Sequence, residues 1–416
     1  MTSKNFKIVD KFTIFIFASL PVAIIIGNFF INLYLFLILI LFLNYIYKNK
    51  DFKWLNDSNF RILLLLYIYI CLNSIFNYFI NPTAWGFDGI IRSLLFLKFL
   101  VLFPAIPKLL DNDEKQRKIF KFWLLTICII VIDIFVEKYS GSNLIGFKSI
   151  GGRITSFFYD ENVIGTFIFS FGFITITFFL KDTLIDKSKI FFNLLIILVL
   201  LSILMTGERS AFLKSTLLFF FIFICIEQKK IFFKKINILL FTLTLIVSSI
   251  LLFPSVLSKQ TEFFQRILIV KNPTSFLQRF ENIKYFAHYD VAIQIFKDHK
   301  LNGIGNKNFR IACVKEKYFR ENLKFTNQRC SSHPHQIHFE LLSEQGLLGY
   351  LIFIFFLFNF LKRKFFDDLK GKNIFKISTN FYLIIFLIPL LPSGSLFATF
   401  NGLLFWFFLG LSNIKR

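Results

Sequence analysis

Long apolar blocks alternate with short polar connections along this chain, and that alternation predicts its elements. Blocks of roughly 16–22 residues match the length a helix needs to cross a hydrocarbon layer ~30 Å thick. They fall at 12–28, 31–48, 60–79, 89–107, 119–136, 162–180, 190–206, 210–227, 236–253, 345–361, 378–392 and 397–413, the first two close enough to form a tight pair. Membrane-spanning strands would instead alternate weakly over about ten residues. The expected fold is an all-α polytopic membrane protein with about 12 transmembrane helices. Residues 1–253 carry spans one to nine, 254–344 form one large, partly helical segment, and 345–416 carry spans ten to twelve. Within the large segment, 282–297 reads as a helix and Asn302-Gly303-Ile304-Gly305-Asn306 as a turn.

Composition agrees: 56% of the 416 residues are hydrophobic, 64 are phenylalanine, and mean hydropathy is +0.64. The net charge of +23 invites a nucleic-acid reading, but no basic and aromatic stripe supports one. The cations cluster in alternate connections instead, for example Lys48, Lys50 and Lys53, then Lys115, Arg117 and Lys118, then Lys229, Lys230, Lys234 and Lys235. Connections 80–88 and 393–396 carry none. This asymmetry puts both termini in the cytoplasm of a bacterial inner membrane and 254–344 in the periplasm. Lys4, Lys7 and Lys11 precede an apolar run without a small-residue cleavage site, so the first span is expected to stay attached. Cys71, Cys128 and Cys225 lie inside spans, whereas Cys313 and Cys330 share the external segment, where oxidation favours a disulfide.

Candidate chemistry gathers where polar segments meet apolar blocks. Three of the five histidines occur in Ser331-Ser332-His333-Pro334-His335-Gln336-Ile337-His338. Ser332 can cap a helix and Pro334 suits its first turn, so His335, His338, Phe339 and Leu342 are expected on one helix face. A neutral imidazole there can accept a proton from a hydroxyl. A zinc reading of the three rings lacks a carboxylate or cysteine set beside them. Gly151-Gly152-Arg153 and Tyr159-Asp160-Glu161 form a second constellation, and Gly207-Glu208-Arg209 a third, in which Glu208 is the local partner of Arg209. Arg92 and Lys98 fall inside the fourth span, with Lys98 expected to face the bundle interior or a wet cavity. Guanidiniums and imidazoles on outward loops suit a lipid-linked diphosphate.

His335-Gln336, nine residues, then Gly346-Leu347-Leu348-Gly349 resembles the long motif of the O-antigen ligase and polymerase superfamily. Phe296 to Gly305 resembles the family's preceding loop; Arg153 with Phe158-Tyr159-Asp160-Glu161, and Gly207-Glu208-Arg209, resemble its shorter signatures. The resemblance covers roughly residues 80–413. It implies a GT-C-like, metal-independent, cofactor-free inverting glycosyltransferase. Such an enzyme moves a glycan from undecaprenyl diphosphate to an acceptor hydroxyl, normally on lipid A-core. His335 would be the base, Arg209 and Arg153 the diphosphate contacts, and Asp160, Glu161 and His338 would support them. The chain departs at Lys300, where the family usually has proline. It departs again near helix 282–297, where Tyr285 stands nearest the arginine of many ligases and Arg279 and His288 are candidates to replace it.

The ligase reading competes with a polymerase, with a protein O-oligosaccharyltransferase of the same superfamily, and with a transporter or flippase whose path Arg92 and Lys98 would line. Membrane lipids surround any of these, and nucleic acid is a partner of none. A bridge between Cys313 and Cys330 is expected to contribute about 3 kcal/mol. Gel mobility with and without reductant checks it; two freely alkylated thiols in the native protein would contradict it.

Overall fold

The computed structural model describes residues 3–82, 85–148, 153–180, 186–225, 243, 247, 258, 261, 283–321, 323–371 and 373–414. Every described secondary-structure element longer than a single bridge is helical. Each drawn span coincides with helix except 236–253, which lies outside the described residues apart from 243 and 247. Six described helices are long and apolar enough to cross a membrane, and four shorter apolar helices accompany them. The eleventh block differs most from expectation: its helix runs Ile374–Phe386 rather than 378–392, because Pro389 and Pro392 cannot continue it. The chain divides into two compact units.

The first unit comprises Met1–Tyr34, Leu110–Glu262 and Phe365–Phe386. It contains α1 (Ser3–Ile26), the start of α2 (Asn28–Asn49), α7 (Asp113–Ser140), α8 (Ile164–Leu180), α9 (Asp186–Thr206), α10 (Arg209–Cys225) and α13 (Ile374–Phe386). Helix α8 is apolar all round and buried nearly throughout, so it forms the centre, packed by α7, α9, α10 and α13. Phenylalanine fills this core: Phe120 stacks on Phe178 at 4.0 Å and Phe221 on Phe381 at 4.4 Å. The buried Trp123 is paired within the apolar interior, donating from Nε1 to the Phe17 carbonyl at 2.8 Å.

The second unit comprises Leu35–Leu109, Phe263–Lys364 and Leu387–Arg416. It holds α3 (Ser58–Ile80), the nearly continuous α4 (Asp88–Leu95), α5 (Leu97–Leu100) and α6 (Leu102–Leu109), then α11 (Lys284–Asp298), most of α12 (Ile337–Lys370) and α14 (Thr399–Ser412). Asp57 caps α3 by accepting from the Asn59 and Phe60 amides. Residues 283–336 have a small core of their own, in which Trp85, Val291, Ile295, Ile304, Phe309 and Tyr318 are buried. Cys313 and Cys330 are joined by a disulfide at the edge of that core, their Cα atoms 5.3 Å apart.

The unit turns on a break in α12. Gly346 sits at φ +64°, ψ −170°, outside helical space, and splits the helix in two. Residues 300–305 dock into the gap. Ile304 and Gly305 donate to the Ser343 and Glu344 carbonyls at 3.0 and 2.8 Å, while Leu347 and Leu348 donate to the Lys300 and Leu301 carbonyls at 2.8 and 3.2 Å. The backbone groups released by the kink are thus satisfied by the loop. No side chain fits between the two strands of backbone. A Cβ on Gly303 would lie 2.5 Å from the Glu344 carbonyl carbon, and one on Gly346 would overlap the Leu301 carbonyl. From the other side Tyr69 donates to the Gln345 carbonyl at 2.7 Å, and Asn73 donates to the Asn302 carbonyl at 2.7 Å. Gly346→Ala is therefore expected to destabilise the protein by about 3 kcal/mol or more. Gly86→Ala, whose Cβ would meet only ordinary contacts, is expected to be near neutral. Thermal unfolding in detergent checks the pair; equal melting temperatures for the two variants would refute the role of the break.

Candidate functional site

His335 is not on a helix. Helix α12 begins at Ile337, and His335 occupies the left-handed region at φ +57°. The expected helix from Ser332, with His335 and His338 on one face, is corrected. Gln336 supplies the cap, its side-chain oxygen accepting from the His338 and Phe339 amides at 2.6 and 3.2 Å, while its NH2 donates to the Ile388 carbonyl at 3.3 Å. Ser332 instead meets Nδ1 of His333 at 3.0 Å. The 387–396 loop holds the turn in place: Ser393 donates its amide to the His335 carbonyl at 2.8 Å, and the Ile337 amide donates to the Ser393 hydroxyl at 3.2 Å. A left-handed conformation is unfavourable for a residue with a Cβ and persists only when its surroundings impose it.

The structure gathers four rings here. Those of His333, His288 and Tyr285 lie 4.4, 5.1 and 5.3 Å from that of His335. His288 is buried and donates from Nδ1 to the Arg329 carbonyl at 2.8 Å. Burial holds its pKa below the ordinary imidazole value, so at neutral pH it is a poor stand-in for the arginine it was expected to replace. Tyr285 occupies the neighbourhood of that arginine as an exposed ring. His338 is committed elsewhere: Nε2–H donates to the Leu387 carbonyl at 2.7 Å, and Nδ1 accepts from Tyr350 at 3.1 Å. By contrast, the ring of His335 makes no hydrogen bond to the described residues. Burial first, then the neighbouring His333, His288 and Lys284, push it down to about 3, with Glu340 pulling the other way. The ring is neutral at physiological pH and keeps a free lone pair. Among the described residues no three His, Cys, Asp or Glu side chains are grouped to hold a metal ion.

Beneath this cluster lies a feature the sequence reading missed. Lys307, itself left-handed at φ +62°, reaches Glu340 at 3.2 Å and Ser395 at 2.5 Å, all three side chains buried. Glu344 accepts from the Lys307 and Phe309 amides at 2.8 and 3.2 Å. Two carboxylates four residues apart beside an apolar run, with Lys307 in a glycine-rich turn, were the available signal.

In the first unit, buried carboxylates secure the loop that carries Arg153. Asp133 accepts from the Leu144 amide at 2.7 Å and from the Ser156 hydroxyl, and Glu137 accepts from the Ser156 and Thr155 amides at 2.7 and 3.3 Å. Arg153, Asp160 and Glu161 are exposed, and the two acids line a largely apolar cavity of about 610 Å3 between α1 and α7. Glu208 is not simply the partner of Arg209 that was expected. Its carboxylate accepts from the Gly165 and Thr166 amides at 2.6 and 3.2 Å, at the N-terminus of α8, where unsatisfied amides and the helix dipole favour an anion. Arg209 is the first residue of α10, half-buried. In the second unit Arg92 is exposed and paired with Asp88 at 2.8 Å, which also meets Arg310; it does not face the bundle interior. Lys98 is half-buried, its ammonium 5.1 Å from the Phe99 ring. Arg279 lies outside the described residues.

Residues 194–354 match the O-antigen ligase family, a stretch that begins in α9 and ends in α12. The match is consistent with the O-antigen ligase and polymerase superfamily, and the long apolar helices with a multi-pass membrane protein. No curated protein matches the chain.

Burial pushes Glu208 up to about 7, against the Gly165 and Thr166 amides and the Arg153 charge, which pull it down. A carboxyl whose folded value exceeds its unfolded one contributes stability below pH ~4.5 that is lost as pH rises through about 7. Glu208→Gln is therefore expected to narrow the difference in melting temperature between pH 5 and pH 8. An unchanged pH dependence in the variant would remove Glu208 from this role.

Proposed function

We propose that the protein is an O-antigen ligase-like glycosyltransferase. It transfers a glycan from undecaprenyl diphosphate to an acceptor hydroxyl, normally of lipid A-core, at the periplasmic face of the inner membrane. In this reading the spans number about twelve and both termini are cytoplasmic. The observation that supports it is the ring of His335: neutral, free of hydrogen bonds to the described residues, and held on an imposed left-handed turn inside the segment that matches the family.

The acceptor oxygen attacks the anomeric carbon as the bond from that carbon to the diphosphate oxygen breaks. The acceptor proton passes to His335 and the lipid diphosphate leaves, so configuration inverts in a single displacement. A base held near 3 is weak at rest, but an anionic donor beside it would raise its affinity for the proton. Arg209 and Arg153, with Arg279, are assigned to the diphosphate, where guanidinium forks neutralise the charge that grows as the donor bond breaks. No metal or cofactor is invoked.

His335→Ala is expected to lower transfer by about 10²–10⁴-fold in reconstituted protein, with insertion and melting temperature unchanged. Arg209→Ala is expected to weaken the donor about 10–100-fold while sparing the acceptor. Transfer by His335→Ala at the native rate would refute the base assignment. Growth of the lipid-linked glycan by whole repeats, without an added acceptor, would make the enzyme a polymerase.

A further inference from the structure

We propose that Lys307 and Glu340 are positioning residues for His335: one buried ion pair holds both the loop that clasps the histidine's backbone and a pair of opposed charges beneath its ring. The inference rests on His335 being the base.

The geometry runs in two short steps. One oxygen of Glu340 takes the Lys307 ammonium at 3.2 Å, and the other accepts the Leu396 amide at 3.2 Å. The same ammonium meets Ser395 at 2.5 Å, so the pair grips the 387–396 loop at adjacent residues. That loop in turn holds the His335 carbonyl and the Ile337 amide through Ser393. Glu344, accepting from the Lys307 and Phe309 amides, stabilises the backbone from which Lys307 reaches. The Lys307 and Glu340 side chains are 8% and 1% exposed, too enclosed for a surface pair that merely aids solubility. An apolar packing of the same space would avoid desolvating two charges. Burial of the pair under a histidine cluster calls for an electrostatic reason.

The charges supply one. The groups facing His335 are His333 on its own turn, Lys284, Tyr285 and His288 on α11, and Glu340 on α12. The 387–396 loop contributes no titratable side chain. Of these groups only Glu340 favours a proton on the ring; Lys307, its ion-pair partner, acts against protonation of the neighbouring His333. Glu340 thus offers a counter-charge to the imidazolium formed during transfer, and Lys307 limits that charge while the ring waits neutral.

The test uses full-length protein in nanodiscs with lipid-linked donor and acceptor, and follows kcat against pH, whose acid limb belongs to the donor-loaded enzyme. In Lys307→Met the Glu340 charge is unopposed, and the acid limb is expected to move to higher pH. In Glu340→Gln it is expected to move to lower pH. The double variant Lys307→Met with Glu340→Gln removes both members of the pair, leaves Glu344 on the backbone amides of residues 307 and 309, and is expected to return near the wild-type position. Lys307→Arg keeps both charges and is expected to leave the limb in place. A role in stability alone would lower the amount of active protein without moving the limb, and that result in Glu340→Gln overturns the inference, even if Lys307→Met does not accumulate. His335→Ala, measured alongside, separates the two levels. An active His335→Ala removes the base assignment itself, whereas an inactive one with unmoved limbs elsewhere removes only the ion pair's role.

Discussion

The second unit depends on a backbone constraint: a helix broken at Gly346 must find partners for the amides and carbonyls it releases. In a bilayer-associated protein such groups cannot turn to water without cost, and residues 300–305 satisfy them. Everything that positions His335 follows from that docking. The loop that fills the break continues directly into Lys307, whose ammonium reaches Glu340 one helical turn before Glu344. The glycines of the long motif are therefore not chemistry. Gly346 makes room for Leu301, and Gly349 makes room for the ring of Tyr69.

The first unit repeats the theme with carboxylates. Asp133, Glu137 and Glu208 each accept backbone amides, and through them the Arg153 loop and the start of α8 are held. A buried carboxylate that accepts several N–H groups orders a loop without a regular ladder. The exposed acids Asp160 and Glu161 have no comparable structural duty among these bonds; they line the cavity between α1 and α7.

The helices were legible because hydrocarbon imposes length and composition on whatever crosses it. Blocks such as 60–79 and 162–180 coincide with α3 and α8 to within a few residues. The helix at 282–297 and the turn at 302–306 were legible from apolar spacing and glycine. The start of α12 was not, because Ser332 and Pro334 are good local signals that a tertiary clasp overrides. The 387–396 loop imposes a left-handed His335, and Gln336 then caps the helix. The ion pair of Lys307 with Glu340 was equally hidden, since its members are far apart in sequence and meet only through the Gly346 break. Arg92 lies, as expected, in an apolar helical stretch long enough to cross a membrane, and Asp88, one turn earlier, pairs with it, a partner the spacing alone did not single out.

The imidazole of residue 335 can be observed directly. Isotope-labelled histidine spectra of the reconstituted protein, assigned by substitution of the five histidines in turn, report the charge and tautomer of each ring. At pH 7 His335 is expected to be neutral, to titrate well below pH 6, and to exchange between tautomers, while His338 stays fixed with its proton on Nε2. A charged His335 at pH 7, or one locked in a single tautomer like His338, would contradict the arrangement described.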